Sequence, residues 1–201
     1  VNPVSYLMNE ELGLVIEVSN NDSMIVKEYI SEICPCYIIG HTTDNAKIKV
    51  NYNQVGSDRL TNAISLLNYR DNFIILDFGT ATTFDVLIKK TYIGGIIAPG
   101  VKISLNTLSD TATLIPKINL KKIKKVIGID TISAVRSGFF WGYSGLIDNI
   151  VNLIKKETGK NFKSVITGGF SNLLKSSTKT KFKENKKITI EGLIKISRLI
   201  K

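Results

Sequence analysis

Residues 73–88 read FIILDFGTATTFDVLI and residues 91–100 read TYIGGIIAPG. The run Phe73–Asp77 is apolar until its last residue, which suits a strand covered on both faces. Glycine and hydroxyls at Phe78–Thr82 predict a turn. Thr83–Ile88 alternates again, and Tyr92–Ala98 gives a third strand that stops at Pro99-Gly100. Three strands joined by short turns form an antiparallel meander.

Working outward, helical stretches follow the meander. Asp130 or Thr131 can cap a long helix, with Ile132, Val135, Phe139, Leu146, Ile147, Ile150 and Ile154 expected on its inward side. Ser164–Thr167 is a short buried strand that enters Gly168-Gly169. Phe170–Leu174 restarts a helix, and Glu191–Ile200 is the terminal one. Upstream, Gly56–Tyr69 reads as a helix because Leu60, Ala63, Ile64 and Leu67 recur at three- and four-residue spacing. Before it, Leu12–Val18 reads as a strand, Ser23–Ile33 as a short helix, and Cys36–Ile39 and Lys47–Tyr52 as further strands. The plan is mixed α/β, with glycine-rich turns at several strand ends. Phosphates usually bind at such turns, because backbone N–H groups converge there without obstruction.

Composition narrows the classes. The 201 residues are 43% apolar and 22% charged, which fits a globular domain and argues against disorder, collagen or coiled coil. No apolar run is long enough to span a membrane. Val1–Glu11 contains Asn9, Glu10 and Glu11 and reads as no signal peptide. Cys34 and Cys36 are spaced too tightly for a comfortable disulfide and are too few for a zinc site, so a reducing cytoplasm is expected. His41 is the lone histidine, which excludes mechanisms needing two. The net charge of +10 is uneven: residues 151–201 hold 13 Lys/Arg against 3 Asp/Glu, and residues 1–150 hold 14 of each. Within residues 151–201, the lysine-rich stretch of Lys175, Lys179, Lys181, Lys183, Lys186 and Lys187 has Phe182 as its one interleaved aromatic. A solvated basic face explains it better than nucleic-acid readout, which is not expected.

Four segments could carry chemistry. Asp77-Phe78-Gly79-Thr80-Ala81-Thr82-Thr83 ends a buried strand in a carboxylate and adds three hydroxyls within four residues. The hydroxyls suit phosphate oxygens and the carboxylate suits a cation facing them, although a polar hairpin turn has the same composition. Val55-Gly56-Ser57-Asp58-Arg59 sets a proton acceptor beside an anion-gripping fork, or simply begins a helix with a surface ion pair. Ile166-Thr167-Gly168-Gly169 lets a flat ligand lie on bare backbone, or is a strand–helix turn. Gly94-Gly95 and Pro99-Gly100 alone read as bulge and turn signals.

Together these segments closely resemble the type III pantothenate kinase family. The resemblance runs through QVGSDRL, FIILDFGTATTFDVL, YIGGIIAPGVKISL, TATL, GIDTISAVRSGFFWGYSGLID, VITGGFSNLL and ITIEGL, from about Lys47 to the C-terminus. It implies the acetate-kinase, sugar-kinase and actin superfamily, with two ribonuclease-H-like domains and ATP between them. Residues 1–70 would form part of the first domain with the substrate segment, and residues 71–201 a complete second domain with the phosphate and adenosine motifs. The implied reaction is ATP-dependent phosphorylation of pantothenate to 4'-phosphopantothenate, the first step of coenzyme A biosynthesis.

The resemblance also implies roles. Asp58 would be the general base on the primary hydroxyl of pantothenate. Gly56, Ser57 and Arg59 would line the substrate site, with Arg59 on the substrate carboxylate. Asp77 would bind a potassium or ammonium ion, and Thr80 would contact ATP phosphate, which enters with Mg²⁺. Gly168 and Gly169 would sit near the adenosine. Thr131 would reach pantothenate from the partner subunit of a homodimer.

Three departures from the family pattern stand out. Ser57 replaces the usual alanine. The segment before Gly56 is one residue short and lacks Asn-Pro, leaving Tyr52 as the nearest substrate-facing aromatic. Nothing in Val1–Glu11 resembles the Asp-x-Gly-Asn-Thr phosphate loop, and Leu12–Val18 fits a later strand of the first domain. The expected alternative to a working kinase is therefore a shortened, catalytically inactive paralogue with a dimerisation or regulatory role. The aromatics Phe139, Phe140, Trp141 and Tyr143 cluster on the long helix and suggest a surface for the second subunit.

Overall fold

The computed structural model describes residues 55–67 and 69–199, together with Met24 and Glu28. Met24 and Glu28 are helical, in line with a helix over Ser23–Ile33. The strands expected at Leu12–Val18, Cys36–Ile39 and Lys47–Tyr52, and the aromatic Tyr52, lie outside the described residues.

Among the described residues, five strands form one sheet: β1 (Phe73–Phe78), β2 (Ala81–Ile88), β3 (Thr91–Pro99), β4 (Lys163–Gly168) and β5 (Phe182–Glu184). Their order is β3-β2-β1-β4-β5. β1, β2 and β3 pair antiparallel, as the meander requires, while β4 and β5 add parallel on the other side of β1. A meander followed by parallel crossover strands is the mixed α/β, ribonuclease-H-like plan that the resemblance implies. The short β5 has no apolar run to announce it, and its pattern of Phe182 in, Lys183 out is that of an edge strand.

Side chains alternate across β1, so one strand feeds two cores. Ile74, Leu76 and Phe78 pack with Phe84, Val86, Phe140, Ile147 and Val151 on one face. Phe73 and Ile75 pack with Leu87, Tyr92, Ala63, Leu66 and Ile188 on the other. The first face is covered by α3 (Thr131–Thr158) and the second by α1 (Ser57–Ser65) with α5 (Ile188–Leu199). Two further helices, α2 (Val101–Thr111) and α4 (Ser171–Leu174), follow β3 and β4.

The long helix α3 starts where its sequence says. Asp130 accepts from the Ser133 amide and the Ser133 hydroxyl bonds back to Asp130, a capping box. It stops at Gly159, which is left-handed at φ 64°. Its buried line differs from expectation. Ile147 and Ile154 are buried as expected and Phe139, Leu146 and Ile150 pack partly buried on the same core, but Phe140 and Val151 are the more deeply buried residues and Ile132 is exposed. Ser137 and Ser144 continue the same buried line. Apolar residues surround this helix, so periodicity alone does not select the inner face. The Ser137 hydroxyl donates to the Val126 carbonyl, and the Ser144 hydroxyl meets that of Ser177 and donates to the Phe140 carbonyl one turn back.

The helix expected over Gly56–Tyr69 is shorter, ending at Ser65, and the terminal helix begins three residues early at Ile188, which is fully buried. These two helices pack on each other. The Lys195 ammonium donates to the Ser65 carbonyl and lies 6.0 Å from the Tyr69 ring centroid.

The parallel pairing of β1 and β4 closes on Gly168. Its φ is +87°, and a Cβ there would stand 2.5–2.6 Å from the Phe78 backbone. Gly169 has open space around its Cα and donates its amide to the Phe78 carbonyl at 3.2 Å. Gly168→Ala is expected to destabilise the protein by more than about 2 kcal/mol, from positive-φ strain and a forced separation of two strands. Gly169→Ala is expected to stay within about 0.5 kcal/mol of wild type. Urea denaturation of both variants measures the contrast.

Candidate active site

The parallel strands β1 and β4 end side by side, and Asp77, Thr80, Gly168 and Gly169 of the expected residues lie at that edge. Asp77 on β1 has Thr83 of β2 and Thr167 of β4 as register partners. Residues paired across strands share a face, so all three lie under α1 and α5. The Asn62 amide donates to Asp77 Oδ2 at 3.0 Å, and the Thr189 hydroxyl donates to Asn62 Oδ1 at 2.7 Å. One buried asparagine thus ties the strand end to both helices. Burial raises the Asp77 carboxyl above its ordinary range; the Asn62 bond opposes this, and the charges of Asp58 and Asp85 add to it.

Asp58 stands exposed in the first turn of α1. It precedes Asn62 by four residues, so the two share a helix face. Gly56 is the N-cap, and its missing side chain leaves room for the Asp58 carboxylate: a Cβ there would sit 2.6 Å from Asp58 Oδ1. Ser57 opens the helix, and its carbonyl accepts from the Thr61 hydroxyl at 2.7 Å.

Arg59 points the other way, into the sheet. Its Nε and Nη2 lie 2.8 and 2.7 Å from Asp85 Oδ1, and the Tyr92 hydroxyl donates to the same oxygen at 2.7 Å. Asp85 is fully buried. Burial pushes its carboxyl up, against the lowering effects of Arg59 and Tyr92. Burial alone would lower the Arg59 guanidinium, but the charge and hydrogen bond of Asp85 leave it above its ordinary value. The Tyr92 phenol is raised by burial first and by Asp85 next. Neither Asp85 nor Tyr92, nor the anchor Asn62, stood out in the sequence reading. The signal was present, since an acid at 85 interrupts an otherwise apolar strand interior.

The three hydroxyls of the turn segment separate. Thr80 is exposed beside Gly79, Thr82 is fully buried within β2 on the α3 side, and Thr83 lies beside Asp77. Only Thr80 is positioned in a turn, because strand β2 begins at Ala81. Gly168 ends β4 and Gly169 follows it, at the same end of the sheet as Asp77. Thr131 is exposed at the start of α3, with no hydrogen bond to Gly56, Ser57, Asp58 or Arg59 among the described residues.

The donor set at Asp77 fits a hard cation. It is all oxygen, Oδ1 makes no hydrogen bond among the described residues, and two threonines flank it. Among the described residues no three His, Cys, Asp or Glu side chains group together to hold a metal. A protein-only cage for a divalent ion is therefore not offered by them.

The family model for type III pantothenate kinase matches residues 12–153. The chain is 74% identical over 155 residues to a type III pantothenate kinase of Pelagibacter ubique (strain HTCC1062), covering 77% of this chain and 62% of that protein. It is 41% identical over 145 residues to the type III pantothenate kinase of Koribacter versatilis (strain Ellin345), covering 71% of this chain and 53% of the relative. The chain thus spans only 62% and 53% of the lengths of these two relatives. A crystal structure from Campylobacter jejuni, described as a Baf family transcriptional activator, aligns over 98% of this chain and 88% of its own at TM-score 0.54 and 19% identity, and so shares the fold. A strand meander with its carboxylate at the β1 end, and a family match over more than half of the sequence, lead to one assignment: the chain belongs to the type III pantothenate kinase family.

Proposed function

We propose that this protein phosphorylates pantothenate with ATP, yielding 4'-phosphopantothenate at the entry to coenzyme A synthesis. Asp58 takes the proton from the primary hydroxyl as it attacks the γ-phosphorus. Gly56 and Ser57 line the substrate segment, and Arg59 receives the substrate carboxylate. Thr80 contacts the ATP phosphates, with Gly168 and Gly169 beside the adenosine. A potassium or ammonium ion sits at Asp77 and offsets phosphate charge; Mg²⁺ arrives with the nucleotide. The setting is the cytoplasm, and among the described residues no helix is long and apolar enough to cross a membrane.

The observation that carries this reading is the hydrogen bond from Asn62 to Asp77. It joins the helix that bears the base to the strand end that faces the phosphates. Phosphoryl transfer depends on positioning and charge neutralisation, and one rigid link between the two halves of the site serves both.

Asp58→Asn is expected to lower turnover by about 10²–10⁴-fold, the usual loss for a general base. Because Asp58 is exposed, stability should move by less than about 0.5 kcal/mol. A coupled ADP-release assay on the whole protein decides the point; wild-type turnover in the variant would end the assignment of Asp58.

Asp77 gives a test independent of activity. A carboxyl raised by burial binds its proton more tightly folded than unfolded, so the stability linked to it is full in acid and lost as pH rises through the folded pKa. Asp77→Asn should therefore raise the melting midpoint at pH 7, with the gain fading as pH falls toward about 4, the ordinary carboxylate range. Potassium should raise the wild-type midpoint relative to sodium-only buffer and leave the variant unmoved. Equal wild-type midpoints in the two salts would remove the cation from Asp77.

We also propose a homodimer with Thr131 reaching the partner's substrate. The four aromatics of α3 support it less than their number suggests. Phe140 is buried, and Phe139, Trp141 and Tyr143 pack on the same core, with the Tyr143 hydroxyl on Pro99 and Ser104. Stronger support lies just before α3, where Val126, Ile127 and Ile129 are exposed, Ile129 by 94%, beside half-exposed Ile132. Light scattering at micromolar concentration should report a dimer.

A further inference from the structure

Arg59 is held from below by a fully buried acid for which the proposed reaction has no other use. A guanidinium has two flat edges that can each take a carboxylate: Nε with Nη2, and Nη1 with Nη2. Asp85 occupies the first edge, through one oxygen. The Nη1 nitrogen makes no hydrogen bond among the described residues. The pair is fixed from three sides. Tyr92 donates to the shared oxygen, and α1 carries Arg59 from above. On the third side β3 presents Gly95, the register partner of Asp85. A Cβ at Gly95 would stand 2.4 Å from Arg59 Nη2, 3.0 Å from Asp85 Oδ1 and 2.3 Å from the Phe84 carbonyl. The second glycine of the Gly94-Gly95 pair therefore makes room for the ion pair, beyond any role as a bulge signal.

Stability does not explain this arrangement. A buried ion pair is often no better than well-packed apolar residues of the same volume, because two charges must leave water. Here the desolvation is incompletely answered, since Asp85 Oδ2 is buried with no hydrogen-bond partner. A lone arginine carried on the first turn of a helix would sample many rotamers. Three donors converging on one oxygen hold it in a single orientation.

We propose that Asp85, braced by Tyr92, is the positioning residue for Arg59, presenting the Nη1/Nη2 edge to the carboxylate of the substrate. This rests on the pantothenate reading above. The acid never touches substrate; it acts by fixing the cation that does. Gly95 and Tyr92 belong to the same device, which spans α1, β2 and β3.

The test is a KM-against-kcat split for the two substrates, measured on the intact protein. Asp85→Ala should raise the KM for pantothenate about tenfold or more, leaving the KM for ATP within about twofold; tenfold corresponds to about 1.4 kcal/mol of binding. Asp85→Asn keeps an oxygen acceptor for all three donors and should recover most of that loss. Tyr92→Phe removes one brace and should raise the same KM about threefold, and it serves in place of Asp85→Ala if that variant does not fold. Equal rises in both KM values, or an unchanged pantothenate KM in Tyr92→Phe, would overturn the positioning role. Pantothenate turnover by the wild type with no split in the variants would refute this inference alone. No pantothenate turnover by the wild type would refute the functional reading and this inference with it.

Discussion

β1 has a strand on each side and a helix layer on each face, so its six residues must satisfy four neighbours at once. That constraint explains why five of them are buried apolar residues and why the exception, Asp77, stands next to the end. A carboxylate in the middle of such a strand would be surrounded by apolar atoms with no donor in reach. Near its C-terminal end the Asn62 amide of α1 reaches the carboxylate. The site is therefore placed by the limits of the core.

The same face carries a second acid, Asp85, deep in β2 opposite Ile75. The two carboxylates meet the cost of burial differently. Asp85 is answered by a full charge and a phenol, all on one oxygen. Asp77 is answered by a single neutral amide, which leaves its pKa raised and its other oxygen available to a cation. One acid is closed and holds an arginine in place; the other is open and suits an ion. Asp77 is expected to lower stability at neutral pH relative to an amide substitute, a usual feature of sites kept for function, whereas removing Asp85 would leave the buried Arg59 guanidinium unpaired and destabilise the fold.

Much was legible in the sequence. The apolar run at 73–76, the alternation that follows it and the short turns between them specify a meander, because a period of two and tight connections leave few other arrangements. Asp130 with Ser133, and Gly159, specify where α3 begins and ends, because capping depends on residues near in sequence. Asp58, Arg59, Asp77, Thr80 and Gly168-Gly169 stood out through the family motifs they resemble, because polar and glycine residues at strand and helix ends are common for local reasons alone.

Other features were decided only by tertiary packing. The inner line of α3 passes through Phe140 and Val151 because the sheet selects one among several apolar faces, while Ser137 and Ser144 on the same helix bond to Val126 and Ser177. Thr82 and Thr83 part to opposite faces once β2 begins at Ala81, so a cluster of hydroxyls in sequence becomes a single exposed threonine in space. Asn62 meets Asp77 across 15 positions and Thr189 across 127, and Arg59 meets Asp85 across 26. No local pattern encodes such partners, because a hydrogen bond between distant residues exists only after the strands and helices have fixed where each side chain points. The sequence by itself determined which elements form and which residues are chemically unusual; the tertiary structure decided which of those residues hold one another, since only packing brings their atoms within bonding distance.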